Sequence, residues 1–399
     1  MPKKILLCSL GSRGDVEPFL ALGEELLEDK GNEIAFCFSE QFCELAAQVG
    51  GSFYPMTTEF LDLMNRPDVK AVMGQTGSRW SRLISLRRLL KETASIQKQL
   101  LLDQQKAVAD FEPDEIYFHV KCIYPVIQGL QKGKVTMVSP IPCMIVPVDH
   151  EPHIGFGNPL SRAWNRITYN IAMTVLVKTA FKYSKEIART EGVTLKKKEL
   201  RDYYLNKVNI DFAVHPDLFP RPKYWRDNAR VVGFRERNKF KHFNLSENLN
   251  DFLKKYPDPI YVGFGSMVNS MPHVVGRDVV EVCKELGQPV IINTSWGGIE
   301  VGNKLPELVH VTDDIPHDFL FKKVKAIVHH GGAGTTHSGF RYRVPQLIIP
   351  HIADQSFWSR TIVNSGEGVK GFPIRKWTRD RFRNCLIELL AFSGNRSIT

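Results

Sequence analysis

One stretch of the chain gathers the residue types that hold an anion: His329-His330-Gly331-Gly332-Ala333-Gly334-Thr335-Thr336, with Asp354-Gln355 after it. The apolar run Lys325-Ala326-Ile327-Val328 before it reads as a buried strand, and the residues behind it read as a helix. The glycines therefore fall where a strand turns into a helix N-terminus. Such a junction presents unpaired backbone N–H groups and the positive end of a helix dipole, which together suit a phosphate. Glycine lets the chain approach the anion, Thr335 and Thr336 can cap the helix or donate hydroxyls, and His330 adds a donor for a diphosphate. A plain glycine-rich turn with capping threonines would show the same local pattern. His329 is expected to pack or point away, since adjacent strand residues face opposite ways, which also argues against a paired-histidine metal site.

Three further motifs lie around this one. Val344-Pro345-Gln346-Leu347-Ile348-Ile349-Pro350 follows it, and two segments precede it: Pro259-Ile260-Tyr261-Val262-Gly263-Phe264-Gly265-Ser266-Met267 and Ile315-Pro316-His317-Asp318-Phe319-Leu320-Phe321. Near the N-terminus stands Gly11-Ser12-Arg13-Gly14-Asp15-Val16-Glu17-Pro18-Phe19. In this order the motifs resemble nucleotide-sugar glycosyltransferases of the GT-B fold, the sterol glucosyltransferase branch in particular, and also the glycopeptide- and macrolide-antibiotic glycosyltransferases. The resemblance is strong at both ends of the chain and weak between about residues 60 and 200. It implies two Rossmann-like α/β domains with parallel sheets facing each other across a cleft.

The resemblance also assigns residues. His330, Gly332, Gly334 and Thr335 would contact a diphosphate, with Ser266 as a further donor. Asp354 and Gln355 would bind sugar hydroxyls; the competing reading makes Asp354 a helix N-cap and leaves Gln355 exposed. Asp15 stands where related enzymes carry the base that takes the acceptor hydroxyl's proton, and helix capping is the alternative there too. Gly14, Trp296 and the backbone of Ile315 fall at the donor pocket by the same likeness, although Trp296 reads equally well as a core residue. Asp314 replaces the Trp that stacks on the base in the plant small-molecule enzymes, and Ser338 replaces their ribose-binding Glu. No metal and no cofactor beyond the nucleotide sugar, expected to be UDP-glucose, is implied.

The elements that must position these residues follow from periodicity. Residues 3–10 read as a strand, 16–30 as a helix and 34–38 as the next strand, a β-α-β opening that implies a parallel sheet covered on both faces. Apolar runs at 116–118, 135–138 and 212–214 continue it, and the proline-rich segment 216–222 approaches a linker. Strands at 260–264, 289–293, 308–311, 325–329 and 345–349 repeat the alternation. The expected domains are 1–228, binding the acceptor, and 229–399, binding the nucleotide sugar, with a terminal helix near 377–392 that in the family often packs back on the first domain.

Composition limits the classes. A chain of 399 residues with 43% hydrophobic and 24% charged residues is an ordinary globular protein with room for two cores. The net charge of +10 favours anionic partners. Nucleic acid is not expected, because zinc-finger spacing, basic-zipper heptads and RNA-binding aromatic motifs are absent. Seven cysteines without a C-x-x-C pair argue for a reducing compartment, with Cys8, Cys37 and Cys122 in the core. The run Ile5-Leu6-Leu7-Cys8-Ser9-Leu10 is too short for a signal peptide and ends in charged Arg13 and Asp15. No run approaches a membrane span, so the expected location is cytoplasmic.

The acceptor is expected to be an apolar alcohol such as a sterol or another lipid. Residues 79–91 hold five basic residues, Trp80 and several aliphatics, which suits either a helix on an anionic membrane or a surface helix burying Leu83, Leu86 and Leu90. The apolar stretch from Trp164 to Phe181 suits an acceptor pocket or a core. Rival readings are a secondary-metabolite aglycone as acceptor and a nucleotide-sugar-binding protein without transfer activity. A nicotinamide dehydrogenase is disfavoured, since Gly263-Phe264-Gly265 lacks the third glycine and the acidic residue.

Overall fold

The structure is a computed structural model that describes residues 2–28, 31–66, 79–131, 133–237, 245–265, 267, 269, 271–294, 298–313, 315–352 and 354–392. Ser266, Trp296 and Asp314 lie outside the described residues, as do the side chains of 79–94. Two units emerge, Met1–Arg237 and Asn238–Thr399.

The first unit is built on seven parallel strands: β1 (Lys4–Cys8), β2 (Glu33–Ser39), β3 (Ser52–Met56), β4 (Glu115–Phe118), β5 (Lys134–Ser139), β6 (Asn209–Phe212) and β7 (Ala229–Val231), in the order β3-β2-β1-β4-β5-β6-β7. Strand β1 is an unbroken apolar run because β2 and β4 flank it and helices cover both faces of the sheet. Helix α1 (Arg13–Glu28) places Val16, Phe19 and Leu20 on Ile5, Leu7, Phe36 and Phe38. Two longer helices follow in this unit, α2 (Arg79–Phe111) and α3 (Arg162–Thr190).

The second unit carries six parallel strands: β8 (Ile260–Gly263), β9 (Val290–Asn293), β10 (Val309–Thr312), β11 (Ala326–His329), β12 (Gln346–Ile348) and β13 (Gly368–Val369), in the order β10-β9-β8-β11-β12-β13. Its helices include α4 (Pro272–Glu285), α5 (Ala333–Arg341), α6 (Gln355–Asn364) and α7 (Arg379–Ala391). Alternation along β8 divides its side chains between two cores. Ile260 and Val262 join Val275, Val279 and Phe382 on one face, while Tyr261 joins Ile291, Leu320 and Phe321 on the other.

One boundary differs from expectation. The division falls after Arg237 rather than 228, because residues 229–231 form β7 and pair in parallel with β6 instead of leaving the first sheet. Phe382, Leu386 and Leu389 of the terminal helix α7 are buried with Val275 and Val279 of α4 and with Val369. All seven cysteines are free, and Cys8, Cys37 and Cys122 are buried. Among the described residues, no helix is long and apolar enough to cross a membrane.

Candidate functional site

Both sheets reverse their winding direction once, between β1 and β4 and between β8 and β11. Open parallel sheets bind ligands at such switch points, outside the carboxyl ends of the strands. The residues with chemistry cluster at these two places.

In the first unit, Asp15 lies in the first turn of α1, just after β1, and is mostly buried with 18% of its side chain exposed. Its two oxygens do different work. Oδ2 accepts from the Ser12 backbone N–H at 2.8 Å and the Ser12 hydroxyl at 3.2 Å, the reciprocal bond of a helix-capping box. Oδ1 accepts from the Lys121 ammonium at 3.0 Å and faces Nε2 of His119 at 3.6 Å. The capping reading and the base reading of Asp15 are therefore compatible, each using one oxygen. Burial opposes ionisation, and the Lys121 ammonium together with the Ser12 amide outweighs it, holding the carboxyl below its ordinary range.

His119 and Lys121 come from the turn after β4 and were not singled out by sequence reasoning. His119 is fully buried, and neither ring nitrogen has a hydrogen-bond partner. Burial, with the Lys121 ammonium adding to it, pushes its imidazole down to about 4, so the ring is neutral at pH 7. The available signal was positional: both residues follow directly on the apolar run 116–118, beyond the carboxyl end of a strand. Gly11 was also passed over. It adopts φ +139°, and a Cβ there would lie 2.1 Å from Asp15 Oδ2 and 2.7 Å from Lys121 Nζ. Gly14 sits on the exposed first turn beside Asp15, where a Cβ would meet nothing closer than the Ser12 hydroxyl at 3.7 Å.

In the second unit, β11 delivers His330 to the loop ahead of α5. The ring rests between two glycines: a Cβ on Gly332 would lie 2.5 Å from its Nε2, and one on Gly265 would lie 2.9 Å from its Cε1. Its Nδ1 is buried without a partner. Burial, with His329, His351 and His317 nearby, pushes the imidazole well below its ordinary range, so His330 is neutral and offers an N–H rather than a charge.

Helix α5 starts at Gly332 with no side-chain cap, and its first internal bond is Thr336 N–H to the Gly332 carbonyl at 3.0 Å. The amides of Ala333, Gly334 and Thr335 therefore have no helical acceptor. Gly334 is exposed with open space where a Cβ would stand, and Thr335 is half-buried. Thr336 instead turns inward, its hydroxyl donating to the Gly332 carbonyl at 2.9 Å. His329 packs as expected: it is fully buried, bonded to Gln346 at 2.8 Å and accepting from the Gly331 N–H at 3.1 Å.

The remaining assigned residues divide. Asp354 occupies the N-cap position of α6 but makes no side-chain cap bond. Gln355 is buried, at 4% exposure, rather than exposed. Its Oε1 accepts from the backbone N–H groups of His351 at 2.6 Å and Ile352 at 3.0 Å and so braces the loop. The Ile315 side chain is buried in the core that contains Tyr261 and Phe321, and Ser338 is buried within α5.

Known proteins share this architecture. The calicheamicin glycosyltransferase CalG4 superposes with a TM-score of 0.69 at 16% identity, covering 98% of this chain and 91% of its own. The glycosyltransferase VinC, solved in complex with DTDP, gives 0.65 at 16% identity over 97% and 91%. The fold is GT-B. Residues 277–396 match the family described as Erythromycin biosynthesis protein CIII-like, C-terminal domain. In sequence the chain resembles sterol 3-beta-glucosyltransferases over nearly its whole length. It is 27% identical to one from Arabidopsis thaliana over 98% of this chain and 61% of that protein. It is 27% identical to one from Eremothecium gossypii over 92% and 30%. The chain thus spans less than two thirds of the length of these relatives.

Proposed function

We propose that this GT-B chain transfers a hexose, specifically glucose, from a UDP-sugar to the hydroxyl of an apolar acceptor such as a sterol or another lipid. The observation that carries the reading is the Asp15 carboxylate, held ionised by Lys121 with Oδ1 turned away from its capping bond. Glucose and a sterol are what the names of the similar proteins supply.

The chemistry assigned to these residues balances as follows. The acceptor oxygen attacks the anomeric carbon from the face opposite the diphosphate, inverting its configuration. The C–O bond to the diphosphate breaks with its electron pair, and the hydroxyl proton passes to Asp15. A carboxylate this acidic is a weak base towards an alcohol, so the proton moves late, once the hydroxyl has become acidic in the transition state. The uncapped N-terminus of α5 and the neutral His330 N–H would stabilise the departing diphosphate, with no step assigned to a metal.

The test is incubation with UDP-glucose and cholesterol in detergent, resolving the glucoside anomer by NMR. A β-glucoside supports the reading. UDP-glucose binding with no transfer to any sterol or lipid alcohol contradicts it.

A further inference from the structure

Helix α3 presents two unlike faces. Tyr169, Met173, Val177, Ala180 and Ala188 are buried in the first unit. On the opposite side, Trp164, Ile167, Ile171 and Val175 are 41, 46, 43 and 59% exposed. The exposed residues Lys178, Lys182, Lys185 and Arg189 continue the same stripe, because every step from 164 to 189 is three or four residues. The stripe is thus apolar over its N-terminal half and basic over its C-terminal half. Leu160, 68% exposed, and the exposed Phe156 precede the helix in the chain. Arg162 and Arg166 beside that end are both paired with Asp149, at 2.7 and 2.6 Å. No carboxylate among the described residues forms an ion pair with the four cations of the basic half.

We infer that this outer face of α3 docks on an anionic lipid bilayer. Charge complementarity selects that occupant. A second copy in antiparallel register would set lysines on the apolar half, and in parallel register would oppose lysine to lysine. A bilayer surface satisfies both halves: the aliphatic and aromatic side chains enter the acyl boundary, and the cations reach the lipid phosphates. The inference deepens the proposed function, since a lipid acceptor resides in such a membrane. Its test reads binding rather than transfer, so either can fail alone.

The full chain is floated with phosphatidylcholine vesicles that contain phosphatidylserine, beside pure phosphatidylcholine vesicles, and tryptophan quenching by brominated lipid is recorded. The protein should float with the anionic vesicles and be released by salt. Lys178→Ala, Lys182→Ala and Lys185→Ala should each weaken binding roughly fivefold. Ile171→Asp should abolish it, and Trp164→Phe should remove the quenching while leaving flotation intact. All of these positions are exposed, so circular dichroism should be unchanged. The inference is overturned if the protein does not float. It is also overturned if quenching survives Trp164→Phe but is lost in Trp80→Phe, which would move docking to residues 79–91, or if the stripe instead drives self-association or binding to an acidic protein.

Discussion

Asp15 combines a helix cap and an ionised oxygen in one side chain, and Lys121 sets the balance between them. Removing the ammonium leaves burial as the dominant influence, so the carboxyl pKa must rise. Lys121→Met should therefore move the acid limb of the pH–rate profile upward, and Lys121→Arg should largely restore it. A profile whose acid limb stays in place would show that Lys121 has no influence on the base. Asp15 and His330 were legible in the sequence because each sits in a motif with glycines at fixed spacing. His119 and Lys121 were not, since a lone His and Lys after a strand carry no local signature. The bonds that Gln355 accepts from the His351 and Ile352 amides were not legible either, since residue type alone does not set a glutamine's partner.

At the scale of elements, the strands and the glycine-led helix were read from hydrophobic runs and turn chemistry, and they stand close to where periodicity placed them. The start of α5 depends on small residues. Gly332→Ala would drive a Cβ against the His330 ring, so it should weaken UDP binding roughly tenfold or more while changing the melting temperature little, as read by calorimetric titration and thermal melting. Helix α7 was harder to place, because its apolar face is compatible with either unit. It closes the second core through Phe382, which is fully buried and stacked on Trp377 at 4.9 Å. Phe382→Ala should cost about 3–5 kcal/mol of stability in denaturant unfolding. A loss below about 1 kcal/mol would mean that α7 does not belong to that core.

Over the whole molecule, several histidines are buried neutral. Burial pushes His119 and His329, both fully buried, down to about 4. Unfolded histidines take up protons near pH 6.5, so between that pH and about 4 the unfolded chain binds more protons than the folded one. Stability should fall as pH drops through this window, each of the two contributing up to about 1.4 kcal/mol per pH unit, and melting curves would reveal it. A melting temperature flat from pH 6.5 to 5 would contradict the burial of these rings. The two-unit architecture was legible because the β-α alternation recurs in both halves, whereas the exact division was not, because β7 is a short strand that a proline-rich approach made look like linker. The measurement closest to the central claim is glucose transfer from UDP-glucose to a sterol by Asp15→Asn beside the unaltered chain, with UDP affinity measured on both. Transfer should fall on the order of 10²–10⁴-fold with UDP affinity unchanged. Transfer at the unaltered rate would contradict it.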